Sequence, residues 1–117
     1  YRVQHRCDCG QDLRCAMTKL EQIKSIAADI DDEIMGAQHY GKIAKKLREY
    51  DPNMARSYAT MASQELGHRD MLMDMMRKIC RDATEEDNKA GISAICELTE
   101  ERTEPWVAKV RGKIEGM

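Results

Sequence analysis

Phenylalanine is absent from this 117-residue chain, proline occurs only twice, and aromatic residues make up just 4% of it. No apolar run approaches the roughly 20 residues that a membrane-spanning helix needs, and no secretory core precedes a cleavage site. A net charge of -2 leaves no basic footprint, which argues against nucleic acid as a partner. What remains is rich in Leu, Ala, Met, Ile, Glu and Lys, residues that favour helices. The expectation is a soluble, cytoplasmic, all-α protein of one domain, with its nine methionines serving as flexible core filler in place of Phe.

The five cysteines separate into two groups. Cys80 and Cys96 stand alone on expected helices, where a free thiol acts as a small apolar residue. Cys7, Cys9 and Cys15 share a polar N-terminal stretch with His5, four zinc-type ligands within eleven residues. Their CxC spacing is not the paired C-x2-C of a zinc knuckle or ribbon. Residues 1–16 therefore read as an appendage to a unit that begins at Met17.

Local signals place the helices. Thr18-Lys19-Leu20-Glu21 fits a capping box, so a first helix should begin there and run to about Tyr50. Asp51-Pro52 then supplies a cap and a first-turn proline for a second helix reaching about Ala83. So short a connection makes an antiparallel hairpin over residues 17–83. Thr84-Glu85-Glu86-Asp87 reads as a third start, with acidic residues at the positive end of the dipole. That helix is expected to end near Thr103, with Pro105 separating it from a short amphipathic tail bearing Trp106, Val107, Val110 and Ile114. Residues 84–117 are expected to serve oligomerisation, because Trp106 and its neighbours have no obvious partner in so small a fold.

Two stripes repeat in steps of three and four, the spacing of one helical seam. The first helix gives Ile23, Ile26, Ile30, Glu33, Ala37, Tyr40, Ala44 and Leu47; the second gives Met54, Tyr58, Met61, Glu65, His68, Leu72, Met75 and Ile79. Glu33, Glu65 and His68 interrupt otherwise apolar seams. Burying a carboxylate costs several kcal/mol (about 3–5) unless it is paired or binds a cation, so metal is the obvious reason for these three. Glu65 and His68, three apart, can reach one ion. The spacing is also the Glu-x-x-His element of di-iron carboxylate bundles, in which two helices give one Glu each and two give a Glu-x-x-His. One hairpin holds half of that set, and no His follows His68. A homodimer about a two-fold axis would supply the other half. Without metal, the crowded carboxylates should have raised pKa values and weaken that dimer.

The segment from Glu33 to Met75 resembles the ferritin-like superfamily, particularly rubrerythrin-type domains. In that pattern the helix-one Glu is followed seven residues later by a Tyr, as Glu33 is by Tyr40, and Glu-x-x-His comes about thirty residues on. The half-length architecture is similar to the encapsulated ferritins, two-helix chains that dimerise into a four-helix bundle. The resemblance implies a di-iron centre oxidising Fe(II) with dioxygen or peroxide, for storage or detoxification. Glu65 would bridge the irons, Glu33 would be terminal, His68 would ligate through nitrogen, and Tyr40 would lie just outside the ligands. Manganese and zinc are alternatives for the same donors. A higher homo-oligomer and an enclosing protein shell are also implied. The stretch 113–117 does not read as a shell-docking tail, and the N-terminal cysteines do not complete a rubredoxin module.

A plainer account competes with each of these. Glu65 and His68 could be a polar pair that sets dimer register, in a helical assembly or scaffold protein whose metal is structural or absent. Tyr40 and Tyr58 could be core residues, and His39 reads as a surface histidine. Asp29, Asp31 and Asp32 form either a solvated acidic face or an entry path for Fe(II).

Overall fold

The computed structural model describes residues 17–117, so His5, Cys7, Cys9 and Cys15 lie outside the described part. That part is all-helical: α1 (Lys19–Leu47), α2 (Pro52–Asp82), a single 3-10 turn (Glu85–Asp87) and α3 (Lys89–Ile114). Among the described residues, no helix is long and apolar enough to cross a membrane.

The helix starts follow from the local chemistry. Thr18 Oγ1 accepts from Glu21 N at 3.0 Å and Glu21 Oε1 accepts from Thr18 N at 2.9 Å, which completes the capping box. Asp51 accepts from Met54 N at 3.1 Å, with Pro52 opening α2. The acidic Thr84–Asp87 stretch forms only the 3-10 turn. α3 itself starts at Asn88, a left-handed residue (φ 68°) whose side chain accepts from Gly91 N.

α1 and α2 make the expected hairpin, and α3 lies in the groove along one side of it, in contact with both. The result is a slab of 55 × 30 × 14 Å. Its core joins Ile23, Ile30, Ile34 and Ala37 to Ala62, Leu66, Met73 and Met76, and both sets to Ile92, Cys96, Val107 and Val110.

Two expectations are corrected. Pro105 does not end the third helix, which continues to Ile114. A proline inside a helix costs about 3 kcal/mol, but Val107 and Val110 are almost fully buried, and each such side chain contributes about 1.5–3 kcal/mol. Packing outweighs the break. Those valines also have their partners inside the chain, and only Trp106, 41% exposed, stands out from this end.

The second correction concerns the stripe on α2. The buried residues are Ala55, Ala59, Ala62, Leu66, Arg69, Met73 and Met76, one position along from the expected seam, while Met54 and Met75 are about half exposed. Adjacent stripes lie about 100° apart on a helix, and both are apolar here. The alanine-rich one is buried because small side chains let α1 and α3 come close. The Met/Tyr/Leu stripe lines the side of the hairpin turned away from α3.

Candidate metal centre

On that uncovered side, α1 presents Glu33, Gly36 and Tyr40, and α2 presents Tyr58, Glu65 and His68. His68 Nδ1 stands 3.1 Å from Glu33 Oε1 and 3.2 Å from Glu65 Oε1. One ligand atom from each of Glu33, Glu65 and His68 lies within 4.8 Å of the others. The antiparallel hairpin brings Glu33 level with Glu65, and the Glu-x-x-His spacing stacks His68 one turn further along the same face. All three residues singled out from the seams are therefore together.

They are less buried than an interruption of a core would require. Both glutamate side chains keep about a quarter of their surface and His68 more than half. The expected burial cost is correspondingly smaller in this single chain. The electrostatics still record crowding. Partial burial and the adjacent Glu65 carboxylate raise the Glu33 pKa against the lowering effect of His68. The Glu33 carboxylate, assisted by Glu65, raises that of His68. Glu33 and His68 thus hold protons more firmly than separate side chains would, and a cation would displace them.

Gly36 sits one turn after Glu33 and faces α2. A Cβ built on it would lie 2.6 Å from Glu65 Oε2, so the missing side chain is the space in which this carboxylate rests. Nothing in the hydrophobic spacing marks Gly36; the signal was a helix-interior glycine beside a ligand-type residue.

Arg69 also escaped the sequence reading. Next to His68 but facing α3, it is 4% exposed, and its guanidinium donates to Asp70, Thr103 Oγ1 and Glu104 at 2.9–3.1 Å. Among the described residues its Nε has no hydrogen-bond partner. Thr103 Oγ1 passes the chain on to Thr99 O, and Thr99 Oγ1 to Ile95 O. This network fixes the rotation of α2 behind the Glu/His cluster. Its position on the stripe Ala62–Leu66–Arg69–Met73 was the available clue.

The remaining residues take outer places. Tyr40 is half-buried, its ring 6.1 Å from that of Tyr58 and 5.5 Å from that of His39, which is exposed. Asp31 is engaged by Arg102 on α3, and Asp32 is exposed. Cys96 is buried, which raises its thiol pKa, and Cys80 Sγ lies 3.1 Å from Ser93 Oγ.

Comparison with curated proteins and with solved structures yields no match. The family model for rubrerythrin, a ferritin-like di-iron family, matches residues 24–104, from early α1 through the Glu/His cluster and into α3. With most of its length inside that match, the chain belongs to the rubrerythrin family.

Proposed function

We propose that this chain supplies half of a di-iron centre, completed when a second copy lays the same hairpin face against the first. The assembled centre would oxidise Fe(II) with dioxygen or peroxide, for iron storage or detoxification. The observation that carries this reading is the convergence of Glu33, Glu65 and His68 on the face that α3 leaves uncovered. Carboxylate and imidazole donors suit iron, and suit manganese and zinc as well. The Gly36 notch fits the same reading, since it gives the Glu65 carboxylate a fixed place.

Two copies would contribute four carboxylates and two imidazoles, with His68 engaging through Nδ1, the nitrogen that already faces both glutamates. Iron held there would supply the electrons that reduce the oxidant. The chain's own groups set the conditions: Glu33 and His68 release protons as the cation enters, and Gly36 keeps Glu65 aimed. Tyr40 would lie just outside the ligands, its ring beside that of Tyr58. Met54, Met61, Leu72 and Met75 exclude water once the second copy covers them. The half-exposed Met54 and Met75 favour such a cover, because they flank the polar cluster with apolar surface.

Anaerobic Fe(II) addition followed by dioxygen tests this. One iron per chain and rapid oxidation are expected, and Glu65→Ala should lose both. A scaffold reading is favoured by one observation, that the three groups already hydrogen-bond one another. No Fe(II) oxidation by the wild-type protein, with metal content unchanged in Glu65→Ala, would select it.

A further inference from the structure

Two thiols share the contact between α2 and α3. On α3, Ser93, Cys96, Glu100 and Thr103 follow in steps of three, four and three, which keeps them on one face of the helix. Three of the four touch α2. Ser93 Oγ lies 3.1 Å from Cys80 Sγ, Glu100 Oε2 accepts from Arg77 at 3.0 Å, and Thr103 Oγ1 accepts from Arg69 at 2.9 Å. Cys96 stands on that line between Ser93 and Glu100, one turn from the residue that Cys80 already touches. Both cysteines pack against the same core. After burial, the Cys80 thiol is the next largest cause of the raised Cys96 pKa, as two neighbouring sulfurs require. The two differ in access. Cys96 is 8% exposed, whereas Cys80 is half-buried and its sulfur meets a hydroxyl rather than hydrocarbon. Lys89 Nζ donates to the Cys80 carbonyl at 2.8 Å, which sets a positive charge at a helix end that otherwise disfavours a thiolate.

We propose that Cys80 and Cys96 form a peroxide-oxidisable pair, in which Cys80 reacts first and Cys96 closes a disulfide that ties α2 to α3. The Cys80 thiolate attacks one oxygen of hydrogen peroxide and the O–O bond breaks. Hydroxide leaves and takes up the proton that Cys80 gave away, so that water and a sulfenic acid on Cys80 result. Cys96 then attacks that sulfur, the S–O bond breaks, and the departing hydroxide leaves as water with the Cys96 proton. In sum two thiols lose two electrons and two protons, and one peroxide becomes two waters. Ser93 Oγ is placed to donate to the Cys80 thiolate. Burial keeps Cys96 protonated and out of reach of peroxide until the oxidised Cys80 sulfur turns to it. A disulfide holds its Cβ atoms about 3.5–4.5 Å apart, so closure draws this turn of α3 onto Cys80 and breaks the Ser93 contact. An external thiol restores the pair by exchange. The step uses neither the Glu/His cluster nor the hairpin face proposed to complete it.

Thiol mapping in the full-length chain tests the pair. With Cys7→Ser, Cys9→Ser and Cys15→Ser the chain keeps only these two of its five cysteines. It is treated with equimolar hydrogen peroxide in the presence of a chelator, which removes metal chemistry, then alkylated and cut with trypsin, which cleaves between the cysteines at Arg81 and Lys89. Mass spectrometry without reductant should show Cys80 and Cys96 peptides linked within one chain, and wild-type protein should give the same linked pair. With Cys96→Ser added, dimedone should trap a sulfenic acid on Cys80. With Cys80→Ser added, Cys96 should oxidise at least about tenfold more slowly than Cys80 does. The oxidised chain should unfold at a higher urea concentration than the reduced one, and dithiothreitol should abolish the difference. The proposal is overturned if the linked pair does not form, forms only in urea that unfolds the chain, or joins two chains instead. Oxidation of Cys80 to a sulfinic acid while Cys96 stays reduced overturns it as well, as does Cys96 oxidising equally fast without Cys80.

Discussion

Replacing Gly36 with alanine should separate the stability of the fold from the competence of its metal centre. Gly36 is inside α1, where alanine is preferred over glycine by about 1 kcal/mol, and no backbone lies near the added methyl group. The atoms it meets are Glu65 Oε2 at 2.6 Å, Cδ at 3.3 Å and Cγ at 3.5 Å. Ordinary contact begins at 3.4 Å, so the carboxylate oxygen must retreat by about 0.8 Å. A ligand set tolerates errors of about 0.5 Å. The displacement therefore exceeds what the site can absorb, while the flexible end of Glu65 lets the helices stay in place. In urea denaturation, metal-free G36A should be as stable as wild type or up to about 1 kcal/mol more so. Metal affinity, measured by competition with a chromophoric chelator, should fall about 10- to 100-fold. The rise in Tm on adding metal should shrink accordingly. Unchanged affinity would show that the Glu65 position is immaterial. A loss of metal-free stability would show that the clash reaches the backbone. Either result refutes the reasoning.

Arg69→Ala should destabilise the chain by about 1–3 kcal/mol in chemical denaturation, because Thr103 loses a buried partner and the Arg69 side chain leaves a void, while the half-exposed Glu104 and Asp70 return to water. Arg69→Met should cost less, since it fills the space and removes the unpartnered Nε. Asn88→Gly should lose only a few tenths of a kcal/mol (about 0.3), keeping the left-handed backbone, whereas Asn88→Ala loses both conformation and cap, about 1–2 kcal/mol by thermal melting. Without metal, Glu33 and His68 both have raised pKa values in the folded chain. The stability they contribute is complete below their ordinary values, 4.5 and 6.5, and is lost as pH rises through the raised ones. Metal-free protein should therefore lose stability as the pH increases over that window in urea titrations, and Glu33→Gln with His68→Gln should flatten the slope.

The parts of the structure legible in the sequence are those set by neighbours in the chain. The Thr18 capping box and the Asp51-Pro52 start are local hydrogen-bonding chemistry, and both form as their residues dictate. The Glu33, Glu65 and His68 cluster was legible because three- and four-residue steps fix a face and the short turn fixes the helices in antiparallel order. What escaped depends on a partner far away in sequence. Pro105 reads as a stop until α1 is there to bury Val107 and Val110. The choice between the Ala55–Met76 and Met54–Ile79 stripes is made by how closely α3 can approach. Arg69 makes sense only with Thr103 and Glu104 opposite it, and Gly36 only with the Glu65 carboxylate in its notch.

The cluster also has a place in time. Glu33 and His68 are 35 residues apart in sequence, and both belong to the hairpin, which precedes α3 in the chain. During synthesis the hairpin's residues emerge before those of α3. The half-site can therefore be drawn together while the segment that anchors Arg69 is still being made. The arrival of α3 then acts as a lock: Thr103 and Glu104 capture the guanidinium next in sequence to His68, and the α2 rotation on which the cluster depends is set last.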